Sequence, residues 1–130
     1  MTEVRSATLE GAKAFGVQVE CSLIKGLPSF TIVGLGDSSI QESKERVKAA
    51  LSKASIPLPP YKLIVNLSPA DLKKSGSIFD LPIALSIMSE CLKKPINLKD
   101  AVYLGELGLD GTLKHSNQIL VVTIGMEITF

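Results

Sequence analysis

The stretch 66–85, NLSPADLKKSGSIFDLPIAL, constrains the fold more than any other part of the chain. It continues a short apolar run over 62–67 whose composition predicts a half-buried strand. Asp80 is a residue type that caps helices, and Pro82 suits a first helical turn. The sequence therefore predicts a strand, a polar loop over 68–79 and a helix capped by Asp80 in immediate succession. The loop is a candidate functional site.

The helix predicted after this loop is apolar around most of its circumference. Its apolar residues are Leu81, Ile83, Ala84, Leu85, Ile87, Met88, Cys91 and Leu92. A helix that is apolar on most sides is enclosed by the rest of the protein. The sequence therefore predicts a buried helix, and the loop 68–79 leads into its amino end.

Strand and helix patterns over the first half of the chain predict a hairpin, a third strand and an amphipathic helix. Residues 3–9 and 16–24 alternate like the strands of a hairpin, and 30–33 form a third strand. An amphipathic helix begins at Asp37, and the i,i+4 pair of Glu42 and Arg46 is expected on its solvent side.

The last part of the chain predicts a second small hairpin and a final helix. Residues 101–107 read as a fifth strand, and the Asp-Gly turn at 110–111 leads to a short strand at 112–114. Asn117 is expected to cap the final helix. Because the chain stops at Phe130 within apolar sequence, we expect it to be a fragment of a longer protein.

Composition limits the classes of function. With 130 residues and 45% hydrophobic content, residues 1–130 fit one domain with its own core. Fourteen basic and thirteen acidic side chains leave a net charge of +1, which gives no bulk attraction to nucleic acid or an anionic membrane. Two cysteines and one histidine without ligand spacing predict no metal site. With neither a signal peptide nor an 18-residue apolar run, a cytoplasmic protein without a membrane partner is expected.

The first candidate site is the turn from Gly34 to Ser39. Gly34 and Gly36 follow a strand and precede a helix, which is the context of a dinucleotide-binding fingerprint, and Asp37 lies beside them. Ser39 stands where that fingerprint has its third glycine, and no acidic residue ends the next strand. A tight strand-to-helix turn is the simpler interpretation, and a small nucleotide-binding domain is kept as an alternative.

The second candidate site is the loop 68–79, which contains Asp71, Lys73, Lys74, Ser75, Gly76 and Ser77. A lysine in an apolar pocket can act as the general base for a serine, so Ser75 or Ser77 with Lys73 or Lys74 is a possible hydrolase dyad. The neighbours of both lysines are polar, and we therefore expect both amines to be solvated and protonated. No catalytic residue is predicted, and the hydrolase remains an alternative.

Three long stretches together resemble a known family: LPSFTIVGLGDSSIQESKERVKAAL (27–51), NLSPADLKKSGSIFDLPIAL (66–85) and LGELGLDGTL (104–113). They are similar to the amino-terminal domain of the magnesium-chelatase-like AAA+ ATPases, the competence-M helicase family of bacteria. The resemblance spans nearly the whole chain in the family's order and spacing. It implies an α+β fold of two layers like domain 2 of a ribosomal small-subunit protein and like the Lon proteolytic domain, with a left-handed βαβ crossover that departs from the usual hand.

The resemblance also implies a function. In the family this domain precedes an AAA+ module with the Walker motifs, and whole members look like hexameric ATP-driven motors, some of which move branched DNA during natural transformation. It implies a non-catalytic domain that serves assembly or engages DNA or a partner. The implied partners are the rest of its own AAA+ chain, further copies and DNA. ATP and magnesium are implied as cofactors of the whole protein, and none is expected in this segment.

Similarity to Lon allows its serine–lysine dyad to be checked residue by residue. The position that matches the Lon serine, after Lys74, Ser75 and Gly76, holds Ile78. The position that matches the Lon lysine holds Leu120. The resemblance therefore implies that both dyad members are absent. The segment 114–118, KHSNQ, departs from the turn that is usual in the family at this place.

Overall fold

A computed structural model describes residues 1–11, 13–92 and 97–115 of the chain. The described elements, in chain order, are β1 Thr2–Glu10, β2 Lys13–Ile24, β3 Ser29–Val33, α1 Asp37–Lys53, β4 Lys62–Ser68, α2 Asp80–Leu92, β5 Glu106–Leu107 and β6 Leu113–Lys114.

A four-stranded sheet with the strand order β1-β2-β4-β3 forms one layer. β2 pairs antiparallel with both β1 and β4, whereas β3 pairs parallel with β4 and is joined to it through α1. Alternate residues of the strands, such as Val19 and Val65, are fully buried, and Ile83 and Ile87 of α2 lie in the same apolar core. The structure is therefore a mixed α and β fold, in agreement with the predicted α+β class.

The predicted hairpin, the strands at 30–33 and 62–67 and both helices up to residue 92 are confirmed, although β2 begins at Lys13, three residues before the predicted start. The fifth strand predicted over 101–107 is wrong except for Glu106–Leu107, which pair with Leu113–Lys114. The helix predicted from Asn117 and residue 120 lie outside the described residues.

The segment 101–105 fails to form a strand because its hydrogen bonds change partner within three residues. The Tyr103 amide donates to the carbonyl of Arg5 on β1 at 2.9 Å, and the Ser6 hydroxyl donates to the Tyr103 carbonyl at 2.8 Å. Two residues later the Gly105 amide donates to the carbonyl of Ile78 at 2.8 Å. The segment therefore touches the outer edge of β1 at one place and then turns toward α2.

Candidate functional site

The two candidate loops lie against each other. They follow β3 and β4, which are parallel neighbours, so both loops emerge at the same edge of the sheet. The Gly36 amide donates to the carbonyl of Lys74 at 2.7 Å, and the Gly76 amide donates to the hydroxyl of Ser39 at 3.0 Å. The structure thus joins two loops that the sequence presented as separate candidates.

Gly34 is required by the backbone that surrounds it. Its φ is +91°, a left-handed conformation that residues with a side chain rarely adopt. A Cβ at this position would lie 2.2 Å from the carbonyl oxygen of Leu67. The close approach of the turn to the end of β4 therefore explains this glycine, and no ligand is needed to explain it.

The turn from Gly34 to Ser39 does not fit a nucleotide phosphate. Phosphate-binding turns hold the anion with free backbone amides at the start of a helix. Here the Gly36 amide is bonded to Lys74, and the Ser39 amide donates to the Gly36 carbonyl at 2.8 Å. The exposed carboxylate of Asp37 occupies the first turn of α1 and adds a negative charge that repels phosphate.

Lys74 is buried, so the expectation that both lysines are solvated is wrong for this one. Its side chain is 2% exposed, and its amine donates to the carbonyls of Pro69 and Leu72, the second at 2.6 Å. Burial lowers the pKa of Lys74, and the nearby Asp71 carboxylate acts in the opposite direction. Lys73 is exposed, as expected.

The candidate serines lie on the outer part of the same loop. Ser75 is exposed, and Ser77 is half-buried. Within residues 1–11, 13–92 and 97–115, no hydrogen bond joins a lysine amine to either hydroxyl, and the bonds of Lys74 go to carbonyls. The loop therefore uses its buried lysine to close its own backbone.

Asp80 does not cap α2, and the predicted cap is wrong. The residue is fully buried at the start of the helix. Its carboxylate accepts hydrogen bonds from the Ser43 hydroxyl at 2.7 Å and from Arg46 Nε at 2.6 Å and Nη2 at 3.2 Å. It also accepts one from the Leu107 amide at 3.1 Å. Asp80 therefore ties α1 and β5 to the start of α2.

Arg46 is engaged mainly by this buried carboxylate. The sequence pattern paired it with Glu42 on the solvent side, but that carboxylate is exposed and lies 3.8 Å from Nη1. The hydrogen bond with Asp80 raises the pKa of Arg46 above its ordinary value. Two features of the sequence could have indicated this contact. Ser43 and Arg46 are three residues apart and therefore lie on one face of α1, and Asp80 is the lone aspartate of an apolar helix.

Both cysteines, Cys21 and Cys91, are free in the described part of the chain. Cys21 is buried, and desolvation raises the pKa of its thiol to about 12. Among the described residues no three His, Cys, Asp or Glu side chains are grouped as metal ligands require. No helix within those residues is long and apolar enough to cross a membrane.

Comparison with known proteins gives consistent matches. The family described as subunit ChlI of Mg-chelatase matches residues 19–128. Competence protein ComM of Haemophilus influenzae is 39% identical over 125 residues, which cover 95% of this chain and 25% of ComM. An uncharacterized protein of Mycobacterium tuberculosis is 37% identical over 123 residues, which cover 94% of this chain and 24% of that protein.

A further relative is the uncharacterized protein YifB of Escherichia coli, which is 38% identical over 105 residues. This alignment covers 80% of the chain and 21% of YifB. The chain thus spans about a quarter of the length of the curated relatives that it matches.

Proposed function

The chain belongs to the family of the Mg-chelatase subunit ChlI, and from that premise we propose that it is a non-catalytic amino-terminal domain of a Mg-chelatase-like AAA+ ATPase. In this proposal residues 1–130 form one domain, and its task is the assembly of a motor whose ATP and magnesium are bound elsewhere in the whole protein. The motor is hexameric and cytoplasmic, and it remodels branched DNA.

One observation carries the non-catalytic part of this proposal. Lys74 is the buried lysine of the candidate loop, and its amine is bonded to the carbonyls of Pro69 and Leu72. A lysine acts as a general base only when its amine reaches the hydroxyl that it deprotonates. An amine committed to the loop backbone supports a structural role for Lys74.

The fold supports the same assignment at a finer level. A parallel β3–α1–β4 crossover preceded by a hairpin and followed by α2 is compatible with the fold that the resemblance implied. We propose that the crossover is left-handed and that the domain shares the fold of the Lon proteolytic domain. The residues that match the Lon dyad positions, Ile78 and Leu120, have no group that could act as nucleophile or base.

Activity-based labelling tests the hydrolase alternative. The 130-residue chain is incubated with a fluorophosphonate probe, and intact mass is measured for the wild type and for the Ser75→Ala and Ser77→Ala variants. We expect no adduct on any of them. An adduct that disappears in one serine variant would identify a nucleophile and would contradict the proposal.

Calorimetric titration with Mg-ATP tests the nucleotide alternative. We expect no binding at micromolar ATP, because the Gly36 and Ser39 amides are bonded within the protein. Binding that is lost when Gly36 is replaced by valine would place a nucleotide at this turn and would overturn the proposed role of the domain.

A further inference from the structure

A group of exposed apolar side chains lies at the end of the sheet opposite to the candidate loops. The candidate loops follow β3 and β4, whereas the segment 25–28 precedes β3 and Tyr61 precedes β4. Leu27 in that segment is 88% exposed, more than any other large apolar side chain of the described residues. Ile24 and Tyr61 are 47% and 45% exposed. Single exposed apolar residues are common, but a contiguous group of them marks a contact surface.

The pairing of β2 with β4 brings these side chains together. Ile24 lies opposite Lys62 in the antiparallel register, and a Cβ at Gly26 would lie 3.8 Å from the Cβ of Lys62. At the other end of the loop, the Ser29 amide donates to the carbonyl of Tyr61 at 3.4 Å. The loop between β2 and β3 is thus anchored on both sides, and its leucine is presented with little freedom left to lose on binding.

The charges around this apolar group have one sign. Lys25 and Lys62 are exposed, and neither forms an ion pair with a described residue. The two segments that build the group, 21–36 and 46–70, contain no aspartate and no glutamate. The nearest acidic residue earlier in β2 is Glu20, four residues before the end of the strand, which is about 13 Å away. The apolar group therefore has a positive border.

We propose that this surface, the Leu27 patch, binds an acidic segment of a partner protein that carries an apolar side chain between carboxylates. The patch consists of Ile24, Lys25, Leu27, Tyr61 and Lys62. The apolar side chain of the partner covers Leu27, and its carboxylates meet the two lysines. Burial of apolar surface supplies most of the affinity, and charge selects the partner. The candidate loops lie at the other end of the strands, so this inference does not depend on the absence of catalysis or of ATP binding there.

Charge and composition favour an acidic protein segment over the other occupants. A second copy in a two-fold contact would bring the same positive border and would be repelled. A nucleic acid is bound by neutralising many phosphates, and the patch offers two lysines around exposed aliphatic side chains. Segments that bind anionic membranes carry clusters of about 4–8 basic residues, so two lysines are too few for that as well.

Titration of the isotopically labelled 130-residue chain with a synthetic peptide, followed by amide chemical shifts, tests the proposal. The probe is the blocked peptide DEDLFDED. The peptide NQNLFNQN removes its charge, and DEDSSDED removes its apolar side chains. We expect shifts at 24–28 and 61–62 and a dissociation constant between about 10 µM and about 1 mM for the probe, because the contact is smaller than that of stable complexes.

Both control peptides should bind at least about fivefold more weakly than the probe, since each lacks one of the two contributions. No shift with the probe at about 1 mM, or equal binding of the uncharged peptide, would overturn the proposal.

Substitutions test whether the peptide binds at the patch. Leu27→Ser and Lys25→Glu should each weaken binding of DEDLFDED at least about fivefold, because the first removes apolar surface and the second reverses a charge. Leu109→Ser and Lys13→Glu are the matched controls, since both residues are exposed and lie outside the patch. These controls should leave the affinity unchanged. Similar losses in the patch and control variants would refute the proposed site.

The same chemical shifts identify the other occupants. Shifts at 24–28 that depend on protein concentration alone would place a second copy on the patch. Shifts on adding oligothymidylate or phosphatidylglycerol vesicles that exceed those with the peptide, and that disappear in Leu27→Ser, would place nucleic acid or a membrane there. Each of these results would overturn the proposal.

Discussion

Asp80 has no exposed surface, and its carboxylate joins α1, α2 and β5 through hydrogen bonds from Ser43, Arg46 and Leu107. Asparagine at this position keeps the shape but loses the charge that Arg46 requires. Asp80→Asn should lower the free energy of unfolding by about 2–4 kcal/mol, between the value of hydrogen bonds to a charged group and that of a broken buried ion pair. Urea denaturation measures the change.

Glu42→Gln is the matched control for this prediction. Glu42 contacts the same arginine from the exposed side at 3.8 Å, and an exposed pair of this kind contributes below about 0.5 kcal/mol. Similar losses for Asp80→Asn and Glu42→Gln would mean that the buried carboxylate is not what holds the three elements together.

Lys74 gives the stability of the protein a particular dependence on pH. Burial lowers the pKa of Lys74 from its ordinary value of 10.5, so the unfolded chain holds this proton more tightly than the folded chain. This difference in proton binding contributes stability that is fully present above pH 10.5 and is lost as the pH falls through the lowered pKa of Lys74 in the folded chain. The free energy of unfolding of the wild type, relative to Lys74→Met, should therefore rise as the pH increases toward 10.5.

Lys73→Met provides the comparison for this titration, since Lys73 is the exposed neighbour in the same loop. Chemical denaturation of the three proteins is followed from neutral pH to 10.5. A difference between the wild type and Lys74→Met that stays constant across this range, or that falls, would show that the amine is not held in a desolvated position.

The turn between β3 and α1 depends on Gly34. Gly34→Ala would place a methyl group on the carbonyl oxygen of Leu67 and would force alanine to adopt φ +91°. A left-handed conformation alone costs about 1–2 kcal/mol, and we expect Gly34→Ala to lower the free energy of unfolding by clearly more than that. Gly11→Ala isolates that smaller term, because Gly11 also has a positive φ and has no atom within 4 Å of the added methyl group. Equal shifts of the urea midpoint would refute this explanation of the turn.

Local patterns in the sequence predicted the elements that local patterns determine. Alternation identified β2, and helical periodicity identified α1 and α2 close to their observed bounds. The strand predicted over 101–105 is wrong because alternation indicates a strand, whereas a strand also needs a neighbour along its length, and in the described part of the chain this segment is bonded to β1 at Tyr103.

The candidate site was predicted only in outline for a related reason. Both loops were identified, but their contact depends on the parallel pairing of β3 and β4. The partners of Asp80, which are Ser43, Arg46 and Leu107, lie 37, 34 and 27 residues away in sequence, so a helix-start pattern indicated a cap instead. Polar neighbours suggested that Lys74 is solvated, and only the path of the backbone shows that Pro69 and Leu72 enclose its amine.

At the scale of the whole molecule, the numbers of basic and acidic side chains are nearly equal. The sequence has fourteen basic and thirteen acidic side chains. The exposed Lys73 lies at the same edge of the sheet as the exposed carboxylates of Asp37 and Asp71. Proteins that bind DNA through their charge gather cations on one face and release counterions from the phosphates they contact. Within the proposed motor, this domain is therefore better suited to contacts with protein than to contacts with DNA.

The affinity of the domain for DNA tests whether it is better suited to contacts with protein than to contacts with DNA. We expect the 130-residue chain to bind a labelled four-way DNA junction with a dissociation constant weaker than about 1 µM at physiological salt, in the range of non-specific contacts. Lys73→Glu should leave this weak binding nearly unchanged, because the neighbouring carboxylates already offset the lysine. Fluorescence anisotropy between about 50 and 200 mM salt measures both quantities. Tighter binding that falls about a thousandfold over this range would reveal a cationic DNA surface and would assign DNA engagement to this domain.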